Sequence, residues 1–373
     1  MTRCCRREFL NSCRNFIRTR YNRDQNLYHV LHKTGRSIQE SLLSSNNIRG
    51  ISAYQSPPIQ LTTDAGSFFT MKEVTVKALG DQFNVIYAHA GPEDGDAIIT
   101  IHGSPASHKG FQNMAEPLVA AGYQVIVPNL PGMGWTQLPP SGCYNFSSFH
   151  KAQVIQGVAE ALKMEKIKML CGHSMGCQAI FQMPRLPSFF AQCESICLIS
   201  SLGLRPHRIA SPWFFKRRLF ATYYKMCALP VLGPLLVEFA SPIMVILGLK
   251  GRTKLAQVNS IQEAAMFNWE EFTAGVDELR RQKIPVLIFS SDKDGLISFD
   301  IAQELVARFG ITQDNTAWYQ GVKKDRDDFK ESTLQRAVFI KGGDHSIFTK
   351  RVDVIAPEQL QFLNSLDQPA ARQ

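Results

Sequence analysis

Metal-ligand spacing is missing from the nine cysteines: Cys193 and Cys197 lie four apart, and no second pair completes a tetrahedral zinc site. No dinucleotide fingerprint is present either, since Gly132-x-Gly134 lacks both the third glycine and the strand–helix placement. The sequence therefore calls for no metal and no cofactor. The amino terminus has no apolar run of the kind that precedes a signal cleavage site, so secretion is not expected. An intracellular, reducing compartment follows, in which buried cysteines act as small hydrophobes and the Asn145-Phe146-Ser147 sequon is unused. Acids are scarce at the start of the chain. Residues 1–50 hold ten Lys/Arg and only Glu8, Asp24 and Glu40, so this arm carries +7 of the formal +9. The rest is close to neutral, and a nucleic-acid partner is not expected despite the basic pI. Internal repeats are absent as well, which removes repeat architectures.

What is present is a globular chain of 373 residues, 45% hydrophobic and 20% charged, long enough to bury a large core without staples. Residues 1–65 form a polar, basic arm ending in Ser56-Pro57-Pro58. Three readings of the arm stay open. Leu10, Ile17 and Tyr21 recur near helical spacing among arginines, as in a mitochondrial leader. Cys4 and Cys5 beside Arg3, Arg6 and Arg7 suit acylation at a membrane surface. A solvated tail is the third. The expected location is cytoplasmic or mitochondrial.

Beyond the arm the spacing predicts a hairpin of strands over 71–79 and 82–90. Buried-type strands follow at 97–101, 124–127, 167–171, 195–200, 285–289 and 337–340. Amphipathic helices over 111–121, 149–163 and 299–309 alternate with them, which predicts an α/β fold with a mainly parallel sheet. Two stretches interrupt the alternation: 203–282, without a sheet strand, and 311–335, polar and charged. Residues 231–250 are apolar and about long enough to cross a bilayer. Glu238, Pro234, Pro242 and Gly248 within them predict two short lid helices instead.

The chemistry is concentrated at strand ends. Gly172-His173-Ser174-Met175-Gly176 follows an apolar strand and opens a helical stretch, the setting of a nucleophile elbow. Gly172 and Gly176 permit the close approach of strand and helix, and the turn lifts Ser174 clear of the sheet. A serine needs a base and an orienting acid. His345 follows the strand at 337–340, and Asp294 follows the strand at 285–289, with Asp292 as the competing carboxylate. His102-Gly103-Ser104-Pro105 closes the third strand. The backbone N–H groups of Ser104 and Met175 are the expected oxyanion donors, with His102 and Gly103 supporting the loop. The spacing of His89 and Asp94 matches an acyltransferase pattern but sits in a Gly/Pro turn and is read as chance. The mixed-sign run 323–328 reads as a solvated loop.

Residues 70–366 resemble the α/β-hydrolase superfamily through the Ser174 elbow, the His-Gly-Ser-Pro loop and Asn129-Leu130-Pro131-Gly132-Met133-Gly134-Trp135-Thr136. This last stretch is similar to the family's Asp-x-x-Gly-x-Gly-x-Ser turn, with Asn129 and Thr136 departing from it. The resemblance implies an eight-stranded sheet flanked by helices, a core over 66–202 and 283–373, and a helical cap over 203–282 inserted after strand six. The loop is also similar to that of epoxide hydrolases and dehalogenases, which attack with an aspartate. Ser174 at that position favours a serine ester mechanism. A small-molecule or lipid-like carboxylic ester is the expected substrate, beneath a roof that includes Phe215, Tyr224, Leu235, Leu236, Phe239 and Val245. An amidase, thioesterase or acyltransferase using the same residues is the alternative, with a non-catalytic lipid-surface scaffold from a different class. Peripheral membrane contact is open through the arm or through Lys216-Arg217-Arg218 beside Trp213, Phe214 and Phe215. Oligomeric state is not legible.

Overall fold

A computed structural model describes residues 67–207, 210–229, 231–246, 251–321, 323–324 and 334–368. The basic arm and the acidic half of the 323–328 run lie outside the described residues, as does the side chain of Phe214.

In chain order the elements are β1 (Thr70–Ala78), β2 (Asp81–Ala90), β3 (Ala97–Ile101), α1 (Gln112–Ala120), β4 (Gln124–Pro128), α2 (Ser148–Ala161), β5 (Met169–His173), α3 (Cys177–Phe181), α4 (Pro187–Phe190) and β6 (Ile196–Ile199). There follow α5 (Trp213–Cys227), α6 (Leu232–Ile246), α7 (Lys254–Ala265), α8 (Trp269–Arg281), β7 (Val286–Ser291), α9 (Phe299–Arg308), β8 (Thr316–Gln320), β9 (Lys323–Lys324), β10 (Gln335–Ile340), α10 (Ile347–Lys350) and α11 (Val352–Leu366). The strands form one sheet in the order β1-β2-β4-β3-β5-β6-β7-β10-β8-β9. Pairing is parallel from β4 through β8 and antiparallel at both edges.

The apolar runs become central strands because both faces of the sheet are covered. Successive side chains go to opposite faces. Ile99, Leu170, Leu198 and Ile288 pack with Phe181 of α3, Phe272 of α8 and Leu305 of α9. Their chain neighbours Ile98, Met169, Cys197 and Leu287 pack with Leu118 of α1 and Phe362 of α11 on the other side.

The expected eight strands are ten. β8 falls inside the stretch read as a polar interruption, pairing parallel with β10 at Thr316↔Ala337. Near the sheet's edge it alternates Thr, Ala, Trp, Tyr and Gln rather than running apolar, and so it carries no buried-strand signature. β9 adds two residues to the same edge.

The second correction concerns residues 231–250, where two short helices were expected. One helix, α6, runs from Leu232 to Ile246 straight through Pro242. Pro242 is exposed, so the helix bond it removes is replaced by solvent. Tyr223 Oη of α5 donates to the Leu236 carbonyl at 2.8 Å and anchors the first half. No helix among the described residues is long and apolar enough to cross a membrane.

α5, α6 and α7 pack on one another, and Tyr224, Cys227 and Val258 join them to Phe146 and the β1–β2 edge. α8 lies in the same stretch of sequence but packs differently. Phe272, Val276 and Leu279 enter the sheet's core, and a Cβ on Gly275 would stand 1.9 Å from the Phe181 carbonyl oxygen. Of the expected roof, Phe215, Leu235, Phe239 and Val245 are exposed, whereas Tyr224 is buried.

Candidate active site

β5 delivers Ser174 into a turn that only small neighbours allow. A Cβ on Gly176 would stand 2.3 Å from the Ile101 carbonyl oxygen, and one on Gly172 would stand 2.8 Å from Cys177 Cα. Both obstacles are backbone and cannot yield. Ser174 itself sits at φ +52°, in the left-handed region that a side chain rarely occupies. The turn then continues into α3.

Three segments converge there from the carboxyl ends of β5, β7 and β10. Ser174 Oγ and His345 Nε2 are 2.8 Å apart, and His345 Nδ1 is 2.8 Å from Asp294 Oδ2. A carboxylate only accepts, so Nδ1 carries the proton and Nε2 is left to accept from the serine hydroxyl. The Asp294 side chain is 3% exposed and that of His345 16%. The other oxygen of Asp294 accepts the N–H groups of Leu296 and Ile297, at 2.8 and 3.0 Å, so the carboxylate is held on both sides. Asp292 turns elsewhere and accepts the Gly342 N–H at 2.6 Å. Asp344, next to the histidine in sequence, accepts from the Ser346 N–H and pairs with Lys350.

Two further histidines hold this framework while remaining neutral. Leu130 N–H donates to His102 Nε2 at 3.0 Å, which places the ring proton on Nδ1, facing the Gly103 carbonyl at 2.7 Å. The ring thereby ties the loop after β3 to the loop after β4, and burial pushes its pKa down to about 4. His173 Nε2 donates to the His345 carbonyl at 3.1 Å, and its ring lies against Phe348 at a tilt of 39° with centroids 4.1 Å apart. Burial pushes it down to about 3. The departures from the family turn keep the bracing: Asn129 Nδ2 and Thr136 Oγ1 both donate to the Ile86 carbonyl.

The His102-Gly103-Ser104 loop abuts the elbow, because a Cβ on Gly103 would stand 3.1 Å from Ser174 Cβ. Ser104 Oγ donates to Met133 Sδ at 3.4 Å. Met175 follows the serine, and its carbonyl accepts from Lys151 Nζ at 3.4 Å.

Sequence reasoning missed that lysine. Lys151, in α2, is fully buried and ion-paired with Glu263 of α7. Burial pulls its pKa down to about 7. His207, just after β6, was missed as well. Burial first and the nearby His345 second hold its pKa at about 4. No motif surrounds either residue. By contrast, His89 contacts Gln124 at the amino end of β4, the opposite edge of the sheet from Ser174, which leaves the His89–Asp94 spacing without a role in the site. Among the described residues no group of three or more His, Cys, Asp or Glu is placed to share a metal ion.

Residues 70–363 match a family described as "Alpha/beta hydrolase of unknown function (DUF1057)". The chain belongs to the α/β-hydrolase family of enzymes. A 2-hydroxy-6-oxononadienedioate/2-hydroxy-6-oxononatrienedioate hydrolase of Paraburkholderia xenovorans is 34% identical over 110 residues, which is 29% of this chain and 37% of that protein. The match thus spans little more than a third of the relative. A thermophilic esterase from Thermogutta terrifontis superposes with a TM-score of 0.54 at 16% identity, covering 80% of this chain and 99% of the esterase. A haloalkane dehalogenase from Bradyrhizobium elkani gives 0.54 at 15%, covering 80% and 99%. At such identities these two structures speak for the α/β-hydrolase fold alone.

Proposed function

We propose that this α/β-hydrolase is a serine hydrolase that cleaves a carboxylic or lipid-like ester. The observation that carries the proposal is the unbroken hydrogen-bonded run from Asp294 through His345 to a serine held at positive φ. His345 Nε2 takes the hydroxyl proton as Ser174 Oγ attacks the ester carbonyl, and Asp294 stabilises the imidazolium that forms. The oxyanion is received by the backbone N–H groups of Met175 and Ser104. Collapse of the tetrahedral intermediate breaks the ester C–O bond, and His345 returns its proton to the departing alcohol. Water then attacks the acyl-serine with His345 as base, releasing the acid and restoring the serine. The helices α5–α7, inserted between β6 and α8, serve as the cap, and no metal or cofactor enters any step.

The test is labelling by a fluorophosphonate probe, followed by a panel of small-molecule esters, amides and thioesters. Wild type is expected to label and to turn over esters. Ser174→Ala should lose both, with kcat falling by about 10⁴–10⁶ in a folded protein. A well-folded wild type that neither labels nor turns over any substrate would refute the proposal.

A further inference from the structure

The helices α5 and α6 carry large apolar side chains on their outward faces as well as on their buried ones. On α5 the exposed positions Phe215, Leu219 and Met226 share one face with Arg218. On α6 the outward face is formed by Leu235, Phe239 and Val245, with Glu238 paired to Lys254. Phe215, Leu235 and Phe239 are 68%, 65% and 73% exposed. The large apolar side chains that stand exposed among the described residues all fall between Phe215 and Val245. An exposed apolar area confined to one unit marks an interaction surface.

Charge identifies the partner. Helices α5 and α6 contain four basic residues, Lys216, Arg217, Arg218 and Lys225, against a single acid, Glu238, which is itself paired with Lys254, a net of +3 on these two helices. A second copy of the chain would bring the same positive charge to the contact. A surface that is anionic and has an apolar interior complements both properties.

We propose that the outward face of α5 and α6 docks on an anionic lipid bilayer. Phe215, Leu235 and Phe239 enter the boundary between headgroups and acyl chains, and Arg218 and Lys225 lie against lipid phosphates. α7, packed beneath both helices, carries the Glu263 that pairs with Lys151 beside the Ser174 turn, so docking brings the site to the lipid surface. That consequence rests on the proposed function; the docking does not.

The experiment is co-sedimentation of the full-length protein with phosphatidylcholine vesicles, with and without about a third phosphatidylserine. Wild type should bind the anionic vesicles, and added salt should weaken the binding. Phe215→Ser/Leu235→Ser/Phe239→Ser should bind at least about tenfold more weakly while keeping wild-type circular dichroism and a wild-type urea midpoint. Arg218→Gln/Lys225→Gln, which leaves the apolar face intact, should lose most of the preference for phosphatidylserine. Unchanged binding by the triple variant would assign the binding to the arm and overturn the proposal. So would a wild type that ignores vesicles but self-associates, or binds polyglutamate, through these three residues. Because sedimentation involves no chemistry, a protein that binds vesicles yet cleaves nothing would refute the serine hydrolase reading and leave this one standing.

Discussion

Replacing Lys151 by Met perturbs the molecule where α7 and the turn at Ser174 meet. The Lys151 and Glu263 side chains are 1% and 3% exposed, and the second Glu263 oxygen has no hydrogen-bond partner among the described residues. Removing the ammonium strands a carboxylate out of reach of water, a loss that costs about 3–5 kcal/mol. Met fills most of the space of the lysine stem, so little of that cost is a cavity. The lost contact with the Met175 carbonyl is long, at 3.4 Å, and adds little. Against a typical domain stability of about 5–15 kcal/mol, the single variant should lose about a fifth or more of its margin. Lys151→Met/Glu263→Leu removes both charges and the unpartnered oxygen together, and should return to within about 1 kcal/mol of wild type. Urea unfolding of wild type, both single variants and the double variant closes the cycle. A double variant as unstable as Lys151→Met, or a single variant within about 1 kcal/mol of wild type, would refute the reasoning.

Asp294→Asn presents an amide N–H to His345 Nδ1, forces the other tautomer and should lower kcat by about 10⁴, whereas Asp292→Asn keeps an acceptor for the Gly342 N–H and should be mild; steady-state kinetics giving the reverse order would move the acid to Asp292. His102 and His173 have folded pKa values of about 4 and about 3, below the ordinary value near 6.5. The unfolded chain therefore binds protons that the folded chain refuses, so stability is full above about pH 6.5 and falls as the pH drops towards 4. Each ring contributes about 1.4 kcal/mol per pH unit, and His207, also held at about 4, adds to them, so unfolding free energy from urea titrations should drop by at least about 4 kcal/mol between pH 7 and pH 5. Equal values at the two pH values would show that these rings are protonated in the folded state.

The residues of the candidate site were legible because each stands just past a central strand. An apolar run marks such a strand, and the small residues around Ser174 and His345 mark the turns where their side chains emerge. The contrast between Asp294 and Asp292 was only partly legible, because both occupy one turn and the choice depends on where the Gly342 N–H points. Lys151 and Glu263 are 112 residues apart, and no spacing rule joins α2 to α7. The orientation of α5 was hidden for a different reason. It is apolar on two sides, with Tyr224 and Cys227 buried and Phe215 and Leu219 exposed, so periodicity alone does not say which side meets the core. The polar edge strand β8 lacked the apolar run that revealed its neighbours.

The packing of α8 bears on how such a protein can change. Parallel neighbours need a return path across the sheet, and α8 alone makes that path between β6 and β7. The helix also carries its own starting signals, with Asn268 accepting the Glu271 N–H and Glu270 and Glu271 in its first turn. A strand–helix–strand unit is therefore complete without α5, α6 and α7, which amount to a long excursion from the loop ahead of α8. The bonds between Ser174, His345 and Asp294 involve no atom of that excursion. On the proposed function, replacement or remodelling of the excursion would redirect what reaches Ser174 while leaving the serine's own geometry inherited intact, so choice of substrate and capacity for chemistry would be free to diverge at different rates along a lineage.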